Sequence, residues 1–123
     1  MAEKKILIID DDLDIIETTG ALLEYEGYEV HSAATIETGM EMIEKISPDI
    51  ILLDIMFPEK KTRGFEAAKE IKEKHPELII FALTAINREY AFEFQKEDIK
   101  AEEFINKPVE TNTLIRLIHQ YIG

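Results

Sequence analysis

The sequence predicts an α/β fold, with short buried strands and amphipathic helices alternating around a parallel sheet. Three observations predict it. Apolar runs at residues 6–9, 50–53 and 78–83 are short and mostly aliphatic, as strands covered on both faces are. Between them lie segments whose apolar residues recur three and four apart. Turn and cap residues stand where the two periodicities change.

The first strand, 6–9, leads into a helix whose inner stripe is Leu13, Ile16, Gly20 and Leu23, with Gly27 behind it. Residues 29–33 are a weaker strand candidate, and Thr35 can cap a second helix carrying Ile36, Met40 and Ile43. The strand at 50–53 is followed by a helix with Phe65, Ala68 and Ile71, which Pro76 ends. After the strand at 78–83, residues 87–100 are apolar at Tyr90, Ala91 and Phe94 but rich in charge, and are read as a short fourth helix. Residues 103–106 are a second weak strand. Pro108 precedes a final helix marked by Leu114, Leu117, Ile118 and Tyr121. Five alternations of strand and helix favour a parallel sheet with helices on both faces and right-handed crossovers. No repeat or low-complexity stretch interrupts them, so residues 1–123 are expected to form one domain.

Composition excludes several functions. With 14 basic against 26 acidic residues the net charge is −12, which repels nucleic acid and anionic membrane surfaces at long range. Direct nucleic-acid contact is not expected. There are no cysteines, hence no disulfide framework and no thiolate metal site. The apolar stretch near the N-terminus is one strand long, too short for a signal core or a membrane span, so a cytoplasmic protein without membrane insertion is the expectation.

In an open parallel sheet, sites form beyond the carboxyl ends of the strands. The residues there are Asp10 and Asp11 after the first run, Asp54 after the third, Thr84 after the fourth and Lys107 after the fifth. Each alone has an ordinary reading: a helix cap for the acids 10–12, an Asx turn for Asp54, a backbone hydrogen bond for Thr84, a solvated charge for Lys107. Together they bring three carboxylates, a hydroxyl and an ammonium to one end of the sheet. The three histidines, at 31, 75 and 119, show no metal-ligand spacing and are read as ordinary surface or packing residues.

The ordered motifs KILIIDDD at 5–12, LLEYEGYEV at 22–30, PDIILLDIMFP at 48–58, FALTA at 81–85 and FINKP at 104–108 resemble receiver domains of two-component response regulators, and the resemblance runs through the whole chain. It implies a flavodoxin-like (βα)5 fold with strand order 2-1-3-4-5. It also implies that Asp54 accepts a phosphoryl group from the phosphohistidine of a sensor histidine kinase or histidine phosphotransfer protein. Magnesium, or manganese in its place, would be held by Asp11, Asp54 and the backbone carbonyl of Met56, with Asp10 acting mainly through water. Lys107 and Thr84 would serve the phosphoryl oxygens, and Thr84 and Phe104 would form a coupled switch towards a downstream protein target, with a phosphorylation-dependent dimer as one outcome. The resemblance further implies a cis peptide before Pro108, and an output surface including Tyr90, Phe94, Arg116 and Tyr121.

The chain also departs from the pattern. Between Pro58 and Gly64 it carries Glu59, Lys60, Lys61, Thr62 and Arg63, a longer and more basic loop than receivers usually have; solvated charge is the default reading and steering of a phosphoryl donor the alternative. Met56 and Ile86, beside the expected path of hydrolytic water, are apolar, while Ala85 is small. A phosphoryl group on Asp54 is therefore expected to leave slowly.

Other readings use the same residues. Asp10 and Asp12 match the Asp-x-Asp strand end of haloacid-dehalogenase-type phosphatases, with Asp10 as nucleophile. A nucleotide-binding flavodoxin-like module would share the architecture but lacks a glycine-rich phosphate loop here. A receiver-like interaction module independent of phosphorylation would keep the fold alone.

Overall fold

Runs of four apolar residues need cover on both faces, and the first and third runs receive it: Ile6, Leu7, Ile8 and Ile9, and Ile50, Ile51, Leu52 and Leu53, are all fully buried. The computed structural model describes residues 4–55, 63–85, 101–107 and 109–123. Along these run β1 (Lys5–Ile9), α1 (Leu13–Tyr25), β2 (Glu29–Ala33), α2 (Ile36–Ile46), β3 (Ile50–Asp54), α3 (Arg63–Lys74), β4 (Ile79–Ala85), β5 (Glu103–Lys107) and α4 (Thr111–Ile122). The strands form one parallel sheet of order β2-β1-β3-β4-β5, as predicted. The expected helix at 87–100 lies outside the described residues.

Alternation along each strand sorts the core into two layers. Leu7, Ile9, Ile51, Leu53, Ile80 and Ala82 pack with Ile36 and Ile43 of α2 and Ala67, Ala68 and Ile71 of α3. Ile6, Ile8, Ile50, Leu52, Phe81, Leu83 and Ile105 pack with Leu23 of α1 and Leu114 and Ile118 of α4. The sheet thus separates an α2/α3 side from an α1/α4 side.

Local chemistry sets the boundaries. Gly27, at φ 98°, takes the left-handed conformation that ends α1, with Tyr28 N–H bonded to the carbonyl of Leu23. Thr35 caps α2 through the N–H of Thr38 at 3.1 Å, as expected. For α4 the cap is Glu110, whose carboxylate takes the N–H groups of Asn112 and Thr113.

Three expectations need correction. Leu13, read as part of the inner stripe of α1, is 67% exposed; it is the first helical residue after the Asp12 cap, whereas Leu23 lower in the helix is fully buried. Leu78 is not in β4, because its N–H closes a turn onto the carbonyl of His75 at 3.0 Å. Asp54, Thr84 and Lys107 do not follow their strands but lie within them, since pairing continues through Asp54↔Leu83, Thr84↔Asn106 and Ala85↔Lys107.

Where β5 begins, Glu102 grips β4 twice. Its N–H donates to the carbonyl of Ile80 at 2.8 Å, and its Oε1 accepts the N–H of Ile80 at 2.7 Å. The other carboxylate oxygen meets Lys72 of α3 at 2.5 Å, and Lys72 also donates to the carbonyl of Leu78.

Candidate functional site

The parity that sorts the core also sorts the polar residues. Asp54 continues Ile50 and Leu52, and Lys107 continues Ile105, so both fall on the α1/α4 side. Asp10 continues Ile6 and Ile8 one residue beyond β1, where its N–H still bonds across to the carbonyl of Ala33 at 3.0 Å. Three strands thus deliver two carboxylates and an ammonium to one point. Thr84 continues Ile80 and Ala82 on the opposite side, with Phe104 and Asn106 in the same parity on β5.

Asp10 is fully buried and Asp54 is 1% exposed. Lys107 Nζ lies 2.8 Å from Asp10 Oδ2 and 3.5 Å from Asp54 Oδ1. Burial pulls the ammonium down most strongly of any single influence, yet Asp10 and Asp54 together outweigh it and hold the Lys107 pKa above its ordinary value. The lysine is therefore charged across the physiological range.

The acids 10–12 do three different things. Asp12 caps α1, accepting the N–H of Asp14 at 3.0 Å and of Ile15 at 3.4 Å. Asp10 turns inward, its Oδ1 accepting the N–H of Asp12 at 2.9 Å. Asp11 is exposed at the rim, and one oxygen from each of Asp10, Asp11 and Asp54 lies within 4.8 Å of the others. Among the described residues this is the only acidic or histidine cluster so arranged. Asp10 Oδ2 is buried and, although close to Lys107, receives no well-directed hydrogen bond. An under-satisfied buried oxygen in a set of three carboxylates fits a hard, oxygen-preferring divalent cation, and suits magnesium or manganese better than a nitrogen- or sulfur-seeking metal.

Thr84, half-buried, donates its hydroxyl to Asn106 Oδ1 at 3.0 Å. Phe104, also half-buried, packs against the α2/α3 layer. Because Thr84 pairs with Asn106 and Ala82 with Phe104, the hydroxyl and the ring are near neighbours on one face of adjacent strands. Sequence reasoning missed Asn106; the register of β4 against β5 is the signal that finds it.

The remaining predicted residues divide. Met56, Pro58, Glu59, Lys60, Lys61, Thr62, Ile86, Tyr90, Phe94 and Pro108 lie outside the described residues. Tyr121 donates to Glu103 Oε2 at 2.7 Å and meets Phe81 edge to face, so it bridges α4 to β5. Arg116 is exposed on α4. The histidines take packing contacts, one within a strand and two between elements: His31 with Glu29 at 2.6 Å, His75 with Glu44 at 3.0 Å and His119 with Tyr28 at 3.5 Å. No helix among the described residues is long and apolar enough to cross a membrane.

Comparison with known proteins agrees with this geometry. The family model of the response regulator receiver domain matches residues 6–119. The chain is similar to the CheY-like response regulator receiver domain protein of Methanospirillum hungatei JF-1, at 30% identity and a TM-score of 0.82, over 97% of this chain and 93% of that one. It is similar to a response regulator receiver domain protein of Clostridium thermocellum, at 30% identity and a TM-score of 0.81, over 97% and 94% of the two chains. Against NtrX of Brucella abortus in complex with ADP, at 28% identity and a TM-score of 0.82, it covers 98% of its own length but 26% of that chain. With strand order, the acidic strand ends and the family match in agreement, the chain belongs to the response regulator receiver domain family.

Proposed function

We propose that Asp54 is a phosphoryl acceptor, taking the group from a phosphohistidine on a sensor histidine kinase or histidine phosphotransfer protein. The observation that carries this reading is the buried Asp54 carboxylate at the end of β3, with Lys107 Nζ 3.5 Å away and two further carboxylates at hand. Asp10, Asp11 and Asp54 would hold a magnesium or manganese ion, with the Met56 carbonyl as the family's further ligand; when bound, the ion supplies positive charge to the phosphoryl oxygens. An Asp54 oxygen forms the new bond to phosphorus as the bond from phosphorus to the donor imidazole breaks, the electron pair leaving on that nitrogen. Lys107, charged and fixed by Asp10, offsets charge on an equatorial oxygen. Thr84, whose hydroxyl rests on Asn106 on the α2/α3 face of the sheet, would turn over the end of β4 to supply a hydroxyl hydrogen to another, and Phe104 beside it would carry the change to the surface that meets a downstream protein.

The phosphatase reading needs Asp12 in the pocket as the second acid. Asp12 instead spends its carboxylate on the first turn of α1, which disfavours it.

The test is labelling by acetyl phosphate in magnesium buffer, with Asp54→Asn and Asp10→Asn compared. Loss of label in Asp54→Asn is expected. Label retained there but lost in Asp10→Asn would favour the phosphatase, and no label in any form would leave a phosphorylation-independent interaction module.

A further inference from the structure

We propose that Asn106 is a positioning residue that holds the Thr84 hydroxyl on the sheet in the unmodified chain, and so sets how readily the phosphoryl-bearing state forms. The inference rests on the roles proposed above for Asp54 and Thr84, and adds to them a residue that competes for the switch.

Thr84 and Asn106 are register partners at the carboxyl ends of β4 and β5, so their side chains emerge side by side on one face. The contact is directional: Thr84 Oγ1 donates to Asn106 Oδ1 at 3.0 Å. A threonine hydroxyl has one hydrogen to donate. While Asn106 holds it, none is available for a phosphoryl oxygen, and the two acceptors compete for the same atom. An apolar residue at 106 would exert no such hold.

The strength of the hold follows from its setting. Asn106 is exposed, so its carbonyl passes to water when Thr84 leaves, and little is lost. A hydrogen bond of that kind shifts an equilibrium about threefold, a bias and not a lock. The next residue along β5 is Lys107, on the opposite parity. One dipeptide therefore gives the sheet both the ammonium beside Asp54 and the amide that restrains Thr84.

The experiment is calorimetric titration of the intact chain with beryllofluoride in magnesium buffer, beryllofluoride standing for the phosphoryl group on Asp54. Asn106→Leu should bind about threefold more tightly than the unsubstituted chain. In a Thr84→Val background the same substitution should change nothing, because the hydroxyl it releases is gone. Asn106→Ala, which also lacks the acceptor, should repeat the gain and guards against a fold defect peculiar to leucine. Unchanged or weaker binding in both variants, or an equal gain with Thr84→Val, overturns the proposal while leaving the Asp54 reading intact. An unsubstituted chain that binds no beryllofluoride overturns both.

Discussion

Lys107 Nζ sits 2.8 Å from the buried Oδ2 of Asp10, joining the end of β5 to the end of β1 across the two strands between them. Removing one member of a fully buried ion pair costs about 3–5 kcal/mol, because the other charge stays buried without its partner. The Lys107 side chain is 17% exposed, so some of that cost is screened. Lys107→Met should lower stability by about 2 kcal/mol in urea unfolding with chelator present. Magnesium should recover part of the loss by supplying the missing positive charge. An unshifted midpoint would count against the ion pair.

Gly64, in the first turn of α3, comes so close to the residue that follows β3 that a Cβ there would overlap the Cα of Ile55 and lie 2.8 Å from its carbonyl carbon and oxygen. Backbone cannot step aside as a side-chain tip can. Gly64→Ala should destabilise by about 1–3 kcal/mol, and should also slow labelling, since Ile55 is covalently next to Asp54. Gly20 is the control. A Cβ there meets only Val30 Cγ1 at an ordinary 3.6 Å, and alanine favours the helix by about 1 kcal/mol. Equal behaviour of the two alanine variants in thermal melts would refute the close-approach account.

Tyr121 gives a pH signature. Its hydrogen bond to the Glu103 carboxylate, with burial and the charge of Glu103 and Glu102 adding to it, pushes the phenol up to about 12 from an ordinary 10. A folded-state pKa above the unfolded one means that the contact contributes its full stability below pH 10 and loses it as pH rises towards 12. The difference in phenolate absorbance between the unsubstituted chain and Tyr121→Phe reports the titration, and Glu103→Gln should move it down. A Tyr121 transition near pH 10 in the unsubstituted chain would show that the bond does not persist in solution.

A phosphoryl group on Asp54 should persist for minutes rather than seconds, because at Met56 and Ile86, the positions that the family resemblance puts beside the hydrolytic water, neither side chain offers a carboxylate or amide to orient it. Following phospho-Asp54 decay in magnesium buffer decides this, and Ile86→Glu should accelerate it.

The parallel sheet with helices on both faces and the carboxylate cluster were legible because they follow from periodicity and from which residue ends each apolar run, whereas strand order came from the resemblance of the ordered motifs to receiver domains. Asp54 is the plainest case: four buried apolar residues precede it, and the next strands fix its height. What escaped depended on residues far apart in sequence. Asn106 stood out only through its register with Thr84, a residue on another strand. Composition alone does not divide the labour among Asp10, Asp11 and Asp12, since any of them could cap a helix; the cap geometry of α1 assigns that role to Asp12. Leu13 fitted a helical stripe by spacing, but spacing says nothing about where along a helix the sheet stops covering it. The close approach of Gly64 to Ile55 lies across a segment whose sequence gives no hint of it.

The double grip of Glu102 on Ile80 bears on how this chain can vary. A slip of one residue in β5 would send Lys107 to the wrong side of the sheet and bring Asn106 to the pocket. By clamping the strand where its pairing begins, with Lys72 bracing the clamp from α3, Glu102 helps to fix the register of β5 against β4. Insertions, deletions and substitutions between Ala85 and Ala101 can then accumulate while the lysine stays in place beside Asp10 and Asp54.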